Sequence, residues 1–303
     1  MRALLMRTSI ALLFPCMVFA DPPAGYYDAV DLSSPAAMRS TLHDVIDDHQ
    51  RFPYTAGGTD TWDILEQADE DPQDSANILD VYMNASYEKQ GGGNVYYNRE
   101  HTWPKSYGFP DDGWGNYPFT DCHQLMLSDV GYNGARGNYP FGTCDALCAE
   151  YATEGGTLGV YPGTSNWTDG SSVWEVWSER KGDVARTQIY MDVRYEGGVH
   201  GGTGYAEPDL ILTDDVGLIQ TTGSNASVAY MGRLSVLLQW HRDDPVTDEE
   251  RLRNDIVASY QGNRNPFVDH PEWADCIFEG VCGLIFADGF ESEGLSSWSF
   301  AVE

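Results

Sequence analysis

Positively charged side chains are scarce in this chain of 303 residues. It contains 17 Lys and Arg against 47 Asp and Glu, which gives a formal net charge of −30 at pH 7. Proteins that hold nucleic acid through its phosphates normally use clustered Lys and Arg, and a basic patch is their usual footprint. The composition therefore argues against a broad phosphate-binding surface. It restricts any contact with a polyanion to a cleft that is locally richer in Arg.

Long apolar runs are missing after the first 20 residues, so the sequence predicts no membrane span. Within residues 1–20, Arg2 and Arg7 precede an apolar run that ends with Val18-Phe19-Ala20. This order is typical of a secretory signal peptide that is cut before Asp21. We therefore expect a secreted or periplasmic protein.

Cysteine is infrequent, and cleavage of the signal peptide would leave an odd number, five. Export permits disulfide bonds. We expect Cys144 to pair with Cys148 and Cys276 with Cys282, because each pairing closes a short loop. Cys122 would then be the remaining buried thiol, either free or paired between chains. A catalytic role for this thiol has no specific support in the sequence.

Two segments suggest ligand-binding loops but lack the residues that would complete them. Gly91-Gly92-Gly93 is not followed by the Gly-Lys-Ser/Thr ending of a phosphate-binding loop. The acidic run Asp69-Glu70-Asp71 lacks the Gly and Glu positions of a calcium-binding EF-hand. Both segments are predicted to be turns.

The residues that indicate chemistry lie between Tyr97 and Asn138. Residues 97–106 read Tyr-Asn-Arg-Glu-His-Thr-Trp-Pro-Lys-Ser, residues 121–125 read Asp-Cys-His-Gln-Leu, and residues 133–138 read Asn-Gly-Ala-Arg-Gly-Asn. A neutral imidazole can take a proton from water near pH 7, and Mg²⁺ prefers oxygen ligands. These residue types suit metal-dependent cleavage of a phosphodiester, although a Glu-His pair by itself is more often structural.

Glu100 and His101 are neighbours in a predicted strand, where adjacent side chains point to opposite faces. Both can reach one site only if the strand ends or twists there. Pro104 fits such an ending, because proline cannot donate to a sheet ladder. His101 is then the candidate general base, and Glu100 and Asn133 are the candidate metal ligands.

The order of these segments resembles the endonuclease I family, and the resemblance covers most of residues 35–273. It includes the segment Gln261–Glu272, which is close to verbatim. The family consists of secreted or periplasmic nonspecific nucleases. The resemblance implies an α+β fold with a ββα-metal (His-Me finger) core in a mainly helical surround, and a catalytic domain over residues 21–275. Residues 276–303 resemble a C-terminal tail of secreted bacterial proteins, with a role in sorting as one interpretation.

By the same resemblance, His101 is the general base, and Glu100 and Asn133 bind Mg²⁺, with Mn²⁺ or Ca²⁺ as alternatives. The expected substrate is DNA, and also RNA, cleaved to 5′-phosphate products by a monomer. Two other functions stay open. One is a phosphodiesterase for small nucleotides, which the acidic composition slightly favours. The other is a non-enzymatic, calcium-binding envelope protein.

The phosphate contact is the point where the sequence departs from the family. Some members carry an Arg between the two motifs that steadies the phosphate, but residues 107–120 contain neither Arg nor Lys. Arg136, or Arg264 from a distant segment, must then fill that role. The other predicted substrate contacts are Arg99, Lys105 and Asn265, and the residues expected to support the site from behind are His123 and Asn138. An alternative for Arg264 and Asn265 is that they lock the C-terminal part of the chain onto the core.

Periodicity predicts the surrounding elements. Helices are predicted over residues 35–50 and 227–240, where apolar side chains recur at spacings of three and four. Another helix should begin at the capping box Thr247-Asp248-Glu249-Glu250. The second strand of the core is predicted near residues 121–127, and its helix is predicted to begin within 129–133.

Overall fold

The computed structural model describes residues 22–282. The predicted signal peptide, residues 1–20, and the part of the tail beyond residue 282 lie outside the described residues. No helix in the described range is long and apolar enough to cross a membrane.

Helices make up most of the regular structure. In chain order they are α1 (Pro35–Ile46), α2 (Thr61–Ala68), α3 (Val130–Arg136), α4 (Lys181–Arg194), α5 (Leu234–Asp243), α6 (Asp248–Gln261), α7 (Pro266–Asp269) and α8 (Glu272–Glu279). Every residue of α4 after Lys181 is buried, and α4 packs against α1, α5 and α7. It is therefore the central helix of the fold.

The strands are short and form four small sheets. In chain order they are β1 (Glu70–Asp71), β2 (Asp74–Leu79), β3 (Ser86–Glu88), β4 (Tyr97–His101), β5 (Leu125–Asp129), β6 (Ala149–Ala152), β7 (Ser165–Thr168), β8 (Trp174–Glu175), β9 (Asp209–Leu212) and β10 (Val228–Met231). The sheets β1-β2-β3, β4-β5 and β6-β7-β8 are antiparallel, whereas β9 and β10 pair in parallel. The predicted mixed α+β class is confirmed.

One strand–strand–helix unit carries the candidate residues. β4 pairs with β5 so that Glu100 lies opposite Met126 and His101 lies opposite Leu125. The second strand begins later than predicted, because the Asp121 carboxylate accepts a hydrogen bond from the His123 N–H at 2.9 Å and closes a turn before it. α3 follows β5 without a connecting loop.

The β4–β5 pair lies between two apolar clusters. Leu125 and Leu127 belong to a smaller cluster with Ile64 of α2, whereas Met126 belongs to a larger cluster that includes Tyr190 of α4. This alternation follows from the period of two in a strand. Because each fully buried aliphatic side chain of this size stabilises the fold by about 1.5–3 kcal/mol, both faces of the pair are fixed.

The helix predicted over residues 227–240 is wrong in its first half. Val228–Met231 is strand β10, and α5 begins only at Leu234. Ala229 and Met231 are buried while Val228 is exposed, which is an alternation of period two. The apolar spacing fitted both periods, and pairing with β9 decided between them because it satisfies the backbone groups of both strands. The helix predicted after Thr247 is confirmed as α6, with its capping box formed.

Both predicted disulfides are present. Cys144 is bonded to Cys148 and Cys276 to Cys282, and Cys122 is a buried free thiol. Helix α8 runs through the predicted domain boundary between residues 275 and 276. The packed part of the chain therefore extends past that boundary.

Candidate active site

His101 is the last residue of β4, and its ring is enclosed by aromatic side chains. The ring centroids of Phe119, Tyr54 and Phe109 lie 4.9, 5.7 and 6.4 Å away. His101 Nε2 lies 2.9 Å from the backbone oxygen of Phe119. A carbonyl oxygen only accepts hydrogen bonds, so Nε2 carries the proton of the neutral ring and Nδ1 keeps its lone pair. Within residues 22–282, the hydrogen bond of Nε2 is the only one that the His101 ring forms.

The surroundings of His101 keep its ring neutral. Burial lowers the pKa of His101 to about 3, and the positive charges of Lys105 and Arg99 act in the same direction. The hydrogen bond to the Phe119 carbonyl has the opposite, smaller effect. The imidazole is therefore in its basic form at neutral pH, with Nδ1 as the acceptor.

Glu100 is buried, and one of its oxygens is fully engaged. Oε1 accepts a hydrogen bond from the Tyr82 hydroxyl at 2.8 Å and pairs with the Arg136 guanidinium at 2.9 Å. Burial raises the pKa of Glu100, and the nearby Arg136 and Tyr82 oppose that rise. No described residue donates a hydrogen bond to Oε2, so this oxygen is available to a further partner.

Asn133 lies in α3 and is oriented by a residue of β4. Its Nδ2 donates a hydrogen bond to Asn98 Oδ1 at 2.7 Å, so the amide oxygen of Asn133 is directed away from Asn98. Asn98 and Glu100 lie on the same face of β4, where alternate residues are about 6.7 Å apart. The hydrogen bond thus brings the Asn133 amide to the side of the strand that carries Glu100.

The side-chain oxygen atoms of Glu100 and Asn133 are of the kind that a hard divalent cation prefers. Glu100 and Asn133 offer only oxygen atoms, which suits Mg²⁺, an ion that keeps several waters and takes one or two carboxylate or carbonyl ligands. No cluster of three or more His, Cys, Asp and Glu residues in the described range could hold a metal. A metal at this position would rest on one carboxylate, one amide and water.

Arg136 is placed differently from its predicted role at the phosphate. It is completely buried and donates to the backbone oxygens of His101 and Thr102 at 3.0 and 2.6 Å, in addition to its ion pair with Glu100. Because the guanidinium is enclosed, we revise its role from phosphate contact to fixing the turn that follows β4.

Arg264 and Asn265 also face the interior. Arg264 binds the Asp269 carboxylate through two nitrogens at 2.7 and 2.8 Å and pairs with Asp255. The Asn265 side chain caps α7 by accepting a hydrogen bond from the Phe267 N–H. Both side chains are therefore engaged by contacts within the protein. The geometry agrees with the alternative in which this segment locks the C-terminal part of the chain onto the core.

Two predicted cations lie beside His101, with Lys105 exposed and Arg99 half-buried. The Arg99 guanidinium stacks over the rings of Tyr54 and Trp62, with its carbon 3.3 and 4.3 Å from the centroids. The Lys105 ammonium lies 4.9 Å from the centroid of Phe119. Neither forms an ion pair with any carboxylate in the described part of the chain. In a protein with net charge −30, they are therefore two positive charges beside His101 that no described carboxylate pairs with.

His123 and Asn138 do not support the site directly. His123 is buried, and its Nε2 lies 2.9 Å from the backbone oxygen of Asn263. It therefore joins the C-terminal segment to the turn before β5. Asn138 is exposed, beyond the end of α3.

Sequence reasoning missed three residues that hold the site. Tyr82 binds Glu100, Asn98 binds Asn133, and Phe119 binds His101. Asn98 could have been found, since it lies two positions before Glu100 on the same strand face. The other two are brought in by tertiary packing and carry no local signal.

Known proteins resemble this chain over most of its length. A family model described as Endonuclease I matches residues 35–272. The chain is 43% identical over 272 residues to a protein of Bacillus subtilis (strain 168) named extracellular ribonuclease, covering 89% of this chain and 83% of that protein. It is 42% identical over 276 residues to the extracellular ribonuclease of Bacillus amyloliquefaciens, covering 90% and 83%.

Nucleases of this family generally depend on a divalent metal ion, in agreement with the oxygen donors of Glu100 and Asn133. The family model spans the β4–β5–α3 unit and the segment around Arg264. The chain therefore belongs to the endonuclease I family and is an enzyme that hydrolyses phosphodiester bonds in nucleic acid.

Proposed function

We propose that the protein is a secreted endonuclease with little sequence preference, in which His101 is the general base. The observation that carries this proposal is the hydrogen bond between His101 Nε2 and the Phe119 carbonyl. It fixes the tautomer so that Nδ1 can take a proton from an attacking water. In this interpretation the β4–β5–α3 unit is a ββα-metal core of the His-Me finger type.

The proposed substrates are RNA and DNA. The two Bacillus relatives are named extracellular ribonucleases, which supports RNA as a substrate and also supports secretion. Membership of a nuclease family removes the non-enzymatic, calcium-binding alternative. A small nucleotide ester remains a useful comparison substrate because of the acidic composition.

Glu100 and Asn133 are the residues that would hold Mg²⁺. A bound divalent cation would offset the negative charge that develops on the phosphate. Tyr82 and Arg136 keep one carboxylate oxygen of Glu100 occupied, so the other is presented to the site. Asn98 orients the Asn133 amide. Mn²⁺ and Ca²⁺ are alternatives that the same oxygens could accept.

Arg99 and Lys105 are the proposed phosphate contacts. Both are close enough to His101 for their charges to lower its pKa. Arg99 is held by the Thr61 and Thr55 hydroxyls at 2.8 and 3.1 Å, so its guanidinium is oriented in advance.

The test is cleavage of plasmid DNA and of single-stranded RNA by the purified protein, with Mg²⁺ and with EDTA. We expect EDTA to abolish cleavage and His101→Ala to lower the rate by about 10²- to 10⁴-fold, the usual cost of losing a general base. His270→Ala, which removes a partly exposed histidine elsewhere, should leave the rate unchanged. A folded His101→Ala variant of near wild-type rate would rule out the proposed base.

A further inference from the structure

The loop between Phe109 and Phe119 connects His101 to an exposed aromatic side chain. Both ends of the loop contact the His101 ring, and Phe119 also binds it through its carbonyl oxygen. At the middle of the loop, Trp114 has 74% of its surface exposed. The exposed indole leaves a large apolar face in contact with water, and an aromatic face of this kind can stack on another ring.

Contacts beneath the loop hold it in place. Arg51 donates to Asp112 Oδ1 at 3.1 Å and to the backbone oxygen of Asn116 at 3.3 Å. Its guanidinium carbon lies 5.6 Å from the centroid of the Trp114 ring. The Asn116 amide donates to the backbone oxygen of Phe109 at 3.1 Å. Trp114 is therefore displayed on a supported loop that is tied to the residues around His101.

A residue from a distant part of the chain, Tyr205, also packs against the loop. The Tyr205 ring packs so closely on Gly115 that an added Cβ there would lie 2.6 Å from the ring. Tyr205 is itself 48% exposed. The backbone beside Trp114 is thus held by contacts with both Arg51 and Tyr205.

The charges around Trp114 select which part of a nucleic acid can approach it. Asp111 and Asp112 are exposed in the same loop. Asp112 is paired with Arg51, so Asp111 supplies the negative charge that repels phosphate there. Lys105 and Arg99 lie on the His101 side, where no acidic partner neutralises them within the described residues. A nucleotide strand would therefore keep its phosphates near His101 and extend its uncharged bases towards Trp114.

We propose that Trp114 is a stacking site for an unpaired base of a single-stranded nucleic acid whose cleaved phosphate lies at His101. A base in a duplex has both faces covered by its neighbours, whereas an unpaired base can stack on an aromatic ring whatever its sequence. This site makes single-stranded RNA and DNA the preferred substrate class over duplex. The proposal rests on the proposed function and specifies its substrate.

The test compares Trp114→Ala, Trp114→Phe and wild type on single-stranded RNA, single-stranded DNA and a duplex of the same sequence. Alanine substitution at a base-stacking ring should lower kcat/KM on single strands by about 5- to 150-fold, with less than about twofold change on the duplex. Trp114→Phe should retain most activity. Leu147→Ala, which removes a side chain that is 94% exposed in the Cys144–Cys148 loop, is the matched control and should behave as wild type.

A binding measurement separates this proposal from the proposed mechanism. Fluorescence anisotropy of labelled single-stranded RNA with the His101→Ala protein reports stacking without cleavage, and adding Trp114→Ala should weaken binding by a similar factor. Equal losses on single strands and duplex, or no loss of single-strand binding, would overturn the stacking site. Cleavage that persists in His101→Ala would instead overturn the general base and leave the binding result to decide on Trp114.

Discussion

At His101, one backbone carbonyl and a cage of aromatic rings set which nitrogen can accept a proton. The Phe119 carbonyl accepts a hydrogen bond from Nε2–H, and burial lowers the pKa of the ring to about 3, so Nδ1 stays unprotonated at neutral pH. A histidine at the surface, with a pKa near 6.5, would be partly protonated at neutral pH. The surroundings therefore keep the imidazole of the proposed base neutral and oriented.

Arg136 illustrates how burial determines the role of a charge. It neutralises Glu100 inside the protein and closes the turn after β4 through two backbone oxygens. An isolated carboxylate at this depth would be strongly disfavoured. The same guanidinium in an open cleft would be a phosphate ligand, so its burial, and not its residue type, decides the assignment.

We predict that Arg136→Met lowers the free energy of unfolding by about 3–5 kcal/mol, because it leaves the buried Glu100 carboxylate unpaired. Urea unfolding monitored by circular dichroism measures this. Arg242→Met is the matched control, since Arg242 pairs with Asp275 near the surface, where such a pair contributes at most about 1 kcal/mol. An Arg136→Met protein of wild-type stability but no activity would contradict this structural role and support Arg136 as a phosphate contact.

At the scale of elements, the site depends on how α3 is attached to β5. The Asp129 carboxylate caps α3 by accepting from the N–H groups of Gly131 and Tyr132, and it also accepts from the Tyr87 hydroxyl at 2.7 Å. One side chain thus fixes the start of the helix that carries Asn133. The strand pair supplies Glu100 and His101, and the helix supplies the remaining proposed ligand.

We predict that Asp129→Ala lowers the free energy of unfolding by about 0.5–2 kcal/mol, the usual effect of losing a helix cap. It should also raise the Mg²⁺ concentration needed for half-maximal cleavage, because α3 and Asn133 lose their anchor. Asp129→Asn keeps a capping oxygen and should restore most of both properties. Unchanged Mg²⁺ dependence in a destabilised Asp129→Ala protein would show that the cap does not position Asn133.

At the scale of the whole molecule, most of the few positive charges are paired locally with carboxylates. Most of the Arg and Lys residues within the described range are ion-paired, as in the contacts of Arg194 with Glu207 and of Arg186 with Glu250. Arg99 and Lys105 flank His101 without a carboxylate partner among the described residues. A strongly acidic protein can in this way keep positive charge available beside its candidate site.

We predict that Lys105→Met weakens the salt dependence of cleavage. Removing one phosphate-binding cation should reduce the slope of log(kcat/KM) against log[salt] by about 1. Lys89→Met is the control, because Lys89 already pairs with Glu70 at 2.5 Å. Equal slopes for wild type and Lys105→Met would exclude Lys105 as a phosphate ligand.

The stability of the folded protein also depends on pH, through His123. Burial lowers the pKa of His123 to about 4, although Asp121 and the Asn263 carbonyl act in the opposite direction. Below its unfolded pKa of about 6.5, the unfolded chain binds a proton that the folded protein does not bind. Stability that is present above a pH of about 6.5 is therefore lost as the pH falls towards the folded pKa.

We predict that the stability difference between wild type and His123→Gln shrinks by about 2 kcal/mol between about pH 7.5 and about pH 5, at about 1.4 kcal/mol for each pKa unit. The variant keeps a neutral donor for the Asn263 carbonyl but does not titrate. Denaturant unfolding of both proteins across this range measures the change. A constant difference would mean that His123 takes up its proton equally in both states.

The sequence by itself determined the residue types of the site and much of the local structure. Glu100, His101 and Asn133 are predicted from the order of the motifs along the chain, and the end of β4 and the start of α3 followed from local signals. The short-loop disulfides and the Thr247 capping box were also predicted. The element ends, the disulfide loops and the helix cap depend on groups within a few residues of one another, where backbone geometry restricts the outcome.

Only the tertiary structure decided which charges are free and which ring nitrogen is basic. Arg136 is neutralised by Glu100 of a different element, and His101 is oriented by Phe119 and caged by Tyr54. The division of residues 227–240 into a strand and a helix likewise required β9. Burial and pairing depend on segments that meet through packing, and local sequence does not encode which segments those are.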